Sequence, residues 1–508
     1  MEWREYNLRG KEKNLFKINK SSSQTTNNEA FKEINEQRAL EVLKKEVYDP
    51  SDFLSSWVVQ KDCCEWEGVV CNNLTCHVID LRISIDRFDS RYLRINNLEW
   101  LSSLSSLENL EIESVDLSKA NEWLQVISML PSLVDLRLYN CSLHHITPLL
   151  DHHKFSSLKS LDLSSNDNFR RSSIPKWVFN LPNLVSLDLS ECYFTGPLPD
   201  GPVNLTSLTT FNASQNSFNC RLPKWLFDLN NLEYLVLYDS GIEGAIQSQS
   251  GNVTKLKYLD LFSNYLNSTI PNWLYGCKDL ESLGLGDNNL EGTVSSLISN
   301  LSSIINIGLS SNMISGKLPN VIGKLGKLEY LSLSNNLFEG DISELFNVWS
   351  NFLSLGLQNT SSLSTLRLGN NKLTGALPKS VGQFSMLEDF SISNNMLEGV
   401  VTESHFSKLT HLRYFDASKN NLTLKVSRNW IPSFQVTTIK IGGWNIGPSF
   451  PMWLRTQNQI MYVDISDCGI QGEVPTWFWK LSSQIEFLNI SHNQFVGEVP
   501  TILVDQYH

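Results

Sequence analysis

Residues 158–169 read LKSLDLSSNDNF, and residues 184–199 return to the phrase as LVSLDLSECYFTGPLP. It comes back as LKYLDLFSNYLNSTIP at 256–271 and LEYLSLSNNLFEGDI at 328–342. In each LxL the two leucines flank an outward residue, as Leu161 and Leu163 flank Asp162. That is the period of a short strand with one buried face. Such a strand cannot bury its apolar side alone, so consecutive copies must stack into a parallel sheet. The first apolar positions fall at 107, 133, 158, 184, 208, 232, 256, 280, 304, 328, 363, 387, 412, 436, 460 and 485, after a degenerate copy at Val78, Leu81 and Ile83. Most steps are 24 to 26 residues, and the step from 328 to 363 is 35.

The shared pattern, LxxLxLxxNxLxGxIP, defines a leucine-rich repeat solenoid. The predicted fold is an α/β superhelix with a parallel sheet on the concave face and short 3-10 or irregular segments on the convex side. Asn at the ninth position (Asn166, Asn216, Asn264, Asn288, Asn312, Asn336, Asn371, Asn395, Asn420, Asn493) turns the chain after the strand. Its amide can satisfy backbone groups of the turn and of the neighbouring coil. Cys141, Cys192 and Cys468 occupy the same place and are read as structural thiols. Gly and Pro of GxIP bend the chain again. Trp177, Trp225, Trp273, Trp453 and Trp477 follow that Pro and are expected to pack on the convex side. The long step, ELFNVWSNFLSLGLQN, is too apolar for a surface loop, and Phe346, Trp349, Phe352 and Leu353 are expected to fold onto the convex face.

Net charge and motifs narrow the function. At −12 and pI 5.3 the chain lacks the basic face that nucleic acid requires. HHITPLLDHHKF, with His144, His145, His152 and His153, reads as an ordinary loop without metal-ligand spacing. No catalytic constellation, phosphate-cradling loop, HExxH or GxSxG occurs, so neither enzyme activity nor a cofactor or metal is expected. No apolar run approaches the roughly 18 residues of a membrane span. The polar first thirty residues carry no signal-peptide core.

The LxGxIP ending resembles the plant-specific class of leucine-rich repeats. NEQRALEVLKKEVYDPSDFLSSWVVQKDCCEWEGVVCNNLTCHVIDL at 35–81 resembles the N-terminal cap of plant leucine-rich-repeat receptor-like proteins and receptor kinases. VTESHFSKLTHLRYFDASKNNL, NWIPSFQ and PTWFWKLSSQI are similar to the large receptor-like proteins that detect elicitors or pathogen molecules. The resemblance implies a non-enzymatic, glycosylated ectodomain at the plasma membrane or outside the cell. Its ligand would be a peptide, protein or oligosaccharide, with defence signalling through a partner receptor kinase or co-receptor. Two alternatives are a soluble secreted binding protein of the polygalacturonase-inhibitor type and a non-functional receptor fragment. The expected organisation is a polar tail at 1–30, the cap at 31–77, about seventeen repeats at 78–500 with the long step at 340–362, and a truncated end without C-terminal cap at 501–508.

Four cysteines, Cys63, Cys64, Cys71 and Cys76, crowd into DCCEWEGVVCNNLTCHV. The resemblance implies a Cys64–Cys71 bridge and sends Cys63 to an upstream cysteine that FKEINEQRAL lacks. Cys76 stands where the family has Gly, and the expectation is that it substitutes as the partner of Cys63. Asn-x-Ser/Thr sequons at Asn73, Asn140, Asn204, Asn212, Asn252, Asn267, Asn300, Asn359, Asn421 and Asn489 are the candidate glycosylation sites.

The outward strand positions line the concave face, the usual binding surface of a solenoid. Small residues dominate there. Tyr234, Tyr238, Tyr258 and Phe262 stand out on two adjacent strands, with Asp239 and Asp260 at their border. Clustered exposed aromatics mark recognition surfaces. The glycine-bearing strands that follow are expected to leave an open shelf, and Asp162 and Asp188 a second, acidic stripe for a basic ligand segment.

Overall fold

The computed structural model describes residues 27–85, 93–144, 155–201, 203–246, 255–354, 362–481 and 484–498. One eighteen-stranded sheet runs through them. Its first strand, Val69–Cys71, is antiparallel to Val78–Ser84, and every later pairing is parallel. Along the parallel repeats the register holds: Leu161 faces Leu187, and the same position continues through Phe211, Leu235, Leu259, Leu283 and Ile307. A one-residue slip would turn the leucines outward, so their burial fixes the pairing. Leu161, Leu163 and their counterparts from Leu187 to Ala417 are at most 1% exposed.

Three residues beyond the strand stands a residue in the left-handed region, as at Ser165, Gln215, Ser263, Asp287 and Asn335, and the repeat Asn follows it. The Asn264 amide donates to the carbonyls of Leu237 (2.7 Å) and Leu261 (3.0 Å). Its Oδ1 accepts from Ile242 N–H (2.8 Å) and Ser240 N–H (3.2 Å). Asn288 repeats the pattern one turn on, donating to Leu261 and Leu285 and accepting from Leu266. The ladder satisfies backbone groups that neither sheet nor water reaches. Where cysteine replaces Asn the thiol serves: Cys192 Sγ donates to the Leu163 carbonyl at 3.0 Å. Burial pushes the Cys468 thiol up to about 12, far from a reactive thiolate.

Past the turn, the structure holds elements that the repeat pattern did not announce. Ser315–Lys317, Leu337–Asp341, Lys372–Gly375, Met396–Thr402 and Asn421–Lys425 form a second, five-stranded parallel sheet. Cys220–Arg221, Ile242–Gly244 and Tyr265–Leu266 form a smaller one. The convex side is aromatic, as the Pro-x-Trp units implied. Phe179 meets Trp225 at 5.7 Å and Phe227 meets Trp273 at 5.3 Å. The long step contains the helix Ile342–Ser354, whose Phe346 and Trp349 pack against Phe384 at 5.9 and 5.5 Å. Those of Phe352 and Leu353 lie outside the described side chains.

The helix Asn27–Glu46 closes the first repeat with Ala39, Leu40 and Leu43 buried. Glu36 accepts from Val78 N–H at 2.9 Å, which caps the strand. Trp57 and Trp66 stack at 5.1 Å beside a Cys64–Cys71 disulfide. The expected Cys63–Cys76 bridge is not formed. Cys63 is buried next to the existing bridge, its sulfur within 4.8 Å of both bridged sulfurs. Cys76 sits at φ +57° in the turn before Val78 and keeps a free thiol. With Cys64 and Cys71 already joined, the cluster is a staple rather than a metal site.

At the other end Ile485, Leu488 and Ile490 are only half-buried, whereas Ile460, Val463 and Ile465 one repeat earlier are at most 1% exposed. In a polypeptide ending at His508, amides of the strand Phe487–Asn489 should exchange at least about tenfold faster than those of Tyr462–Asp464. Equal protection of the two strands in hydrogen-exchange mass spectrometry would contradict this.

Candidate ligand face

The strands Tyr234–Val236 and Tyr258–Asp260 lie side by side, with Tyr234 opposite Tyr258 and Val236 opposite Asp260. Alternation sends both tyrosines to the concave side, where their rings stack at 6.4 Å and 26°. Tyr234, Tyr238 and Tyr258 are half-buried, and Phe262 is 42% exposed. The four aromatics thus share one patch. Asp260 accepts from Phe262 N–H at 3.0 Å and from the Tyr258 hydroxyl. Burial pushes its carboxyl up to about 6, against those two hydrogen bonds. Burial and the neighbouring Asp260 raise the Tyr258 phenol as well.

The open shelf needs correction. A Cβ on Gly284 would stand 2.8 Å from Asp260 Oδ1, and one on Gly286 would stand 3.0 Å from the Phe262 ring. These two side chains lean over the next strand and cover both glycines. Only Gly308, one strand further, is open, with no atom nearer than 3.9 Å to a Cβ placed there. The glycines of the first strand are there because the side chains beside them need the room.

The acidic stripe is also altered. Asp162 already faces Arg137, Nε to Oδ2 at 3.2 Å, and Arg137 reaches Glu111 at 3.5 Å. With Arg82, which reaches Asp80 at 2.7 Å and Glu111 at 3.7 Å, they form a ladder of alternating charge across the first repeats. Asp188 accepts from Ser190 N–H (2.9 Å), Ser190 Oγ (2.6 Å) and Asn212 Nδ2 (3.0 Å). Burial, then the Asp162 charge, push it up to about 6. The pair therefore offers less negative field than two bare aspartates.

Sequence reasoning passed over a second group on the same face. Arg367 donates to Asp389 through Nε (3.1 Å) and Nη2 (2.5 Å). Lys440 Nζ lies 6.0 Å from the centre of the Tyr414 ring. The signal was available, since both cations occupy the central outward position of their strands.

Of the sequons, Asn73, Asn204, Asn267, Asn300 and Asn421 are exposed, and Asn140 is half-buried. Asn212 and Asn489 lie on the concave strands, each accepting from the serine two residues on. Asn252 and Asn359 lie outside the described residues.

Comparison with known proteins agrees with this architecture. Residues 34–72 match the family model of the leucine rich repeat N-terminal domain. Residues 183–205, 255–277, 327–349 and 362–384 match that of the Leucine Rich Repeat. Receptor-like protein EIX1 of Solanum lycopersicum is 42% identical over 111 residues, 22% of this chain and 11% of that protein. Receptor-like protein 49 of Arabidopsis thaliana is 29% identical over 186 residues, 27% of this chain and 22% of that protein. The matched stretches thus span less than a quarter of either relative's length. Among solved structures, the Arabidopsis receptor kinase HAESA, in complex with the peptide hormone IDA and the co-receptor SERK1, superposes with a TM-score of 0.66 at 25% identity. That match covers 92% of this chain and 83% of the receptor chain. A TDR receptor gives 0.67 at 25% identity over 85% and 71%. No helix among the described residues is long and apolar enough to cross a membrane.

Proposed function

We propose that this leucine-rich repeat chain, similar over part of its length to plant receptor-like proteins, is a non-enzymatic ligand-recognition ectodomain. It would act outside the cell in defence signalling through a partner receptor kinase. The observation that carries the reading is the aromatic patch of Tyr234, Tyr238, Tyr258 and Phe262 on a concave sheet whose other outward residues are mostly small. Burying rings beside a patterned polar rim is how recognition surfaces gain affinity. The similarity to tomato and Arabidopsis receptor-like proteins supports the receptor role, and the HAESA complex supports a ligand and a second receptor chain acting together.

The test places residues 31–508 on a membrane anchor in leaf tissue and applies fractionated pathogen extracts. Co-precipitation of an endogenous receptor kinase should rise on treatment. The double variant Tyr258→Ala, Phe262→Ala should remove that rise while reaching the surface in equal amount. A response untouched by the double variant would sink the assignment of this face.

A further inference from the structure

The chemistry of the concave face narrows the ligand class. From the strand Ser160–Asp162 to the strand Tyr330–Ser332 no outward position carries lysine or arginine. A ligand carboxylate or sulfate would therefore find no cation at these outward positions, and Lys257 at their edge is paired with Glu233. Asp239 and Asp287 stand exposed in the turns beyond; at the outward strand positions themselves a ligand ammonium would meet Asp162, Asp188 and Asp260. The first is paired with Arg137, and the other two accept hydrogen bonds from their own neighbours. The face offers neutral groups instead. Tyr234 and Tyr258 present stacked rings, and the Phe262 ring stands over Gly286. Gly308 is an open floor about 10 Å, two strand spacings, beyond the Phe262 strand. Asn306 flanks that floor with a side-chain amide that can both donate and accept.

Rings that present flat apolar faces beside uncharged amides, hydroxyls and hydrogen-bonded carboxyls match a pyranose. Its C–H face packs on an aromatic ring, and its hydroxyls donate and accept in the ring plane. We infer that the concave face from Tyr234 to Ser332 binds a neutral oligosaccharide, one sugar stacked on Phe262 and the next seated on the Gly308 floor. This rests on the concave face being the ligand surface and adds the ligand class.

The test uses the full chain on two immobilised arrays, one of neutral and uronic-acid oligosaccharides and one of unbiased peptides. Two variants accompany it. Phe262→Ala removes a ring that is already exposed. Gly308→Leu fills the floor where a Cβ comes no nearer than 3.9 Å to any atom, so neither should disturb the fold, checked by circular dichroism and melting temperature. Retention of neutral oligosaccharides, weakened about tenfold or more in both variants, is the expected result. No retained neutral oligosaccharide, preference for the uronic acids, or sugar binding indifferent to both variants overturns the inference. Peptide retention lost in the same variants would also overturn it, while leaving the concave face as the ligand surface.

Discussion

Asn264→Ala is expected to destabilise the solenoid by about 4 kcal/mol. The Asn264 side chain is 5% exposed and serves five backbone groups: the carbonyls of Leu237, Leu261 and Phe262, and the N–H groups of Ser240 and Ile242. Alanine leaves the two N–H groups and the Leu237 carbonyl without that partner in a place water does not enter. Each such orphan costs roughly 1–3 kcal/mol. In a solenoid the loss should stay with the interfaces of the affected repeat. Hydrogen exchange should accelerate around residues 234–290 and much less near residue 460. Asn264→Cys should cost about half as much, because a thiol can donate as Cys192 does to Leu163. An alanine variant within about 1 kcal/mol of the parent by denaturant unfolding would show that the ladder is dispensable.

That ladder is also where the sequence was most legible. One Asn per repeat, at a fixed offset from an alternating LxL, leaves little freedom in register, and Leu161, Leu187 and Phe211 do face one another. The helix in the long step was legible only as apolar content, because Phe346 and Trp349 had to be buried somewhere. The second sheet was not legible. Ser315–Lys317 reads SGK and Lys372–Gly375 reads KLTG, with glycine and lysine outnumbering strand formers, and they pair because the primary sheet already sets the repeats at strand spacing. On the ligand face the aromatic cluster was readable, since alternation decides which side a residue takes. Which way a side chain leans along the solenoid was not, and so Gly284 and Gly286 were taken for open floor. Pairing across strands was equally hidden: nothing local in Arg137 or Asp162 says that they meet. The Cys63–Cys76 expectation failed for the same reason, since residue type gives valence but not the path of the turn around Cys76.

Stability should fall as pH rises from 5 to 7, opposite to the usual acid denaturation of carboxylate-paired proteins. Asp188 and Asp260 carry folded-state values near 6 against an ordinary 3.8, burial being the first cause for each. The folded chain thus keeps two protons that the unfolded chain gives up above about pH 4. Their contribution is complete below 3.8 and is lost as pH climbs through 6. A shift of about two units is worth about 3 kcal/mol per group. Solvent reaching the concave face reduces this, so about 3 kcal/mol for the pair is the expected loss between pH 4 and pH 7. His405 acts in the other direction. It is buried, with its ring bridging Thr402 N–H and the Leu377 carbonyl, and burial lowers its value below 6.5. Its contribution is present above 6.5 and is lost as pH falls through its lowered folded value. Asp116, held below 3.8 by its bonds to Ser118 and Arg94 against its own burial, likewise weakens the fold on acidification. The two sets of groups place the maximum near pH 4. Melting temperature across pH 3–8 checks this. The double variant Asp188→Asn, Asp260→Asn keeps an acceptor at each place and removes the charge, so it should flatten the decline above pH 5 while leaving the acid limb intact. A decline of the same slope in that variant, or a maximum at pH 7 in the parent, would assign the pH response to other groups.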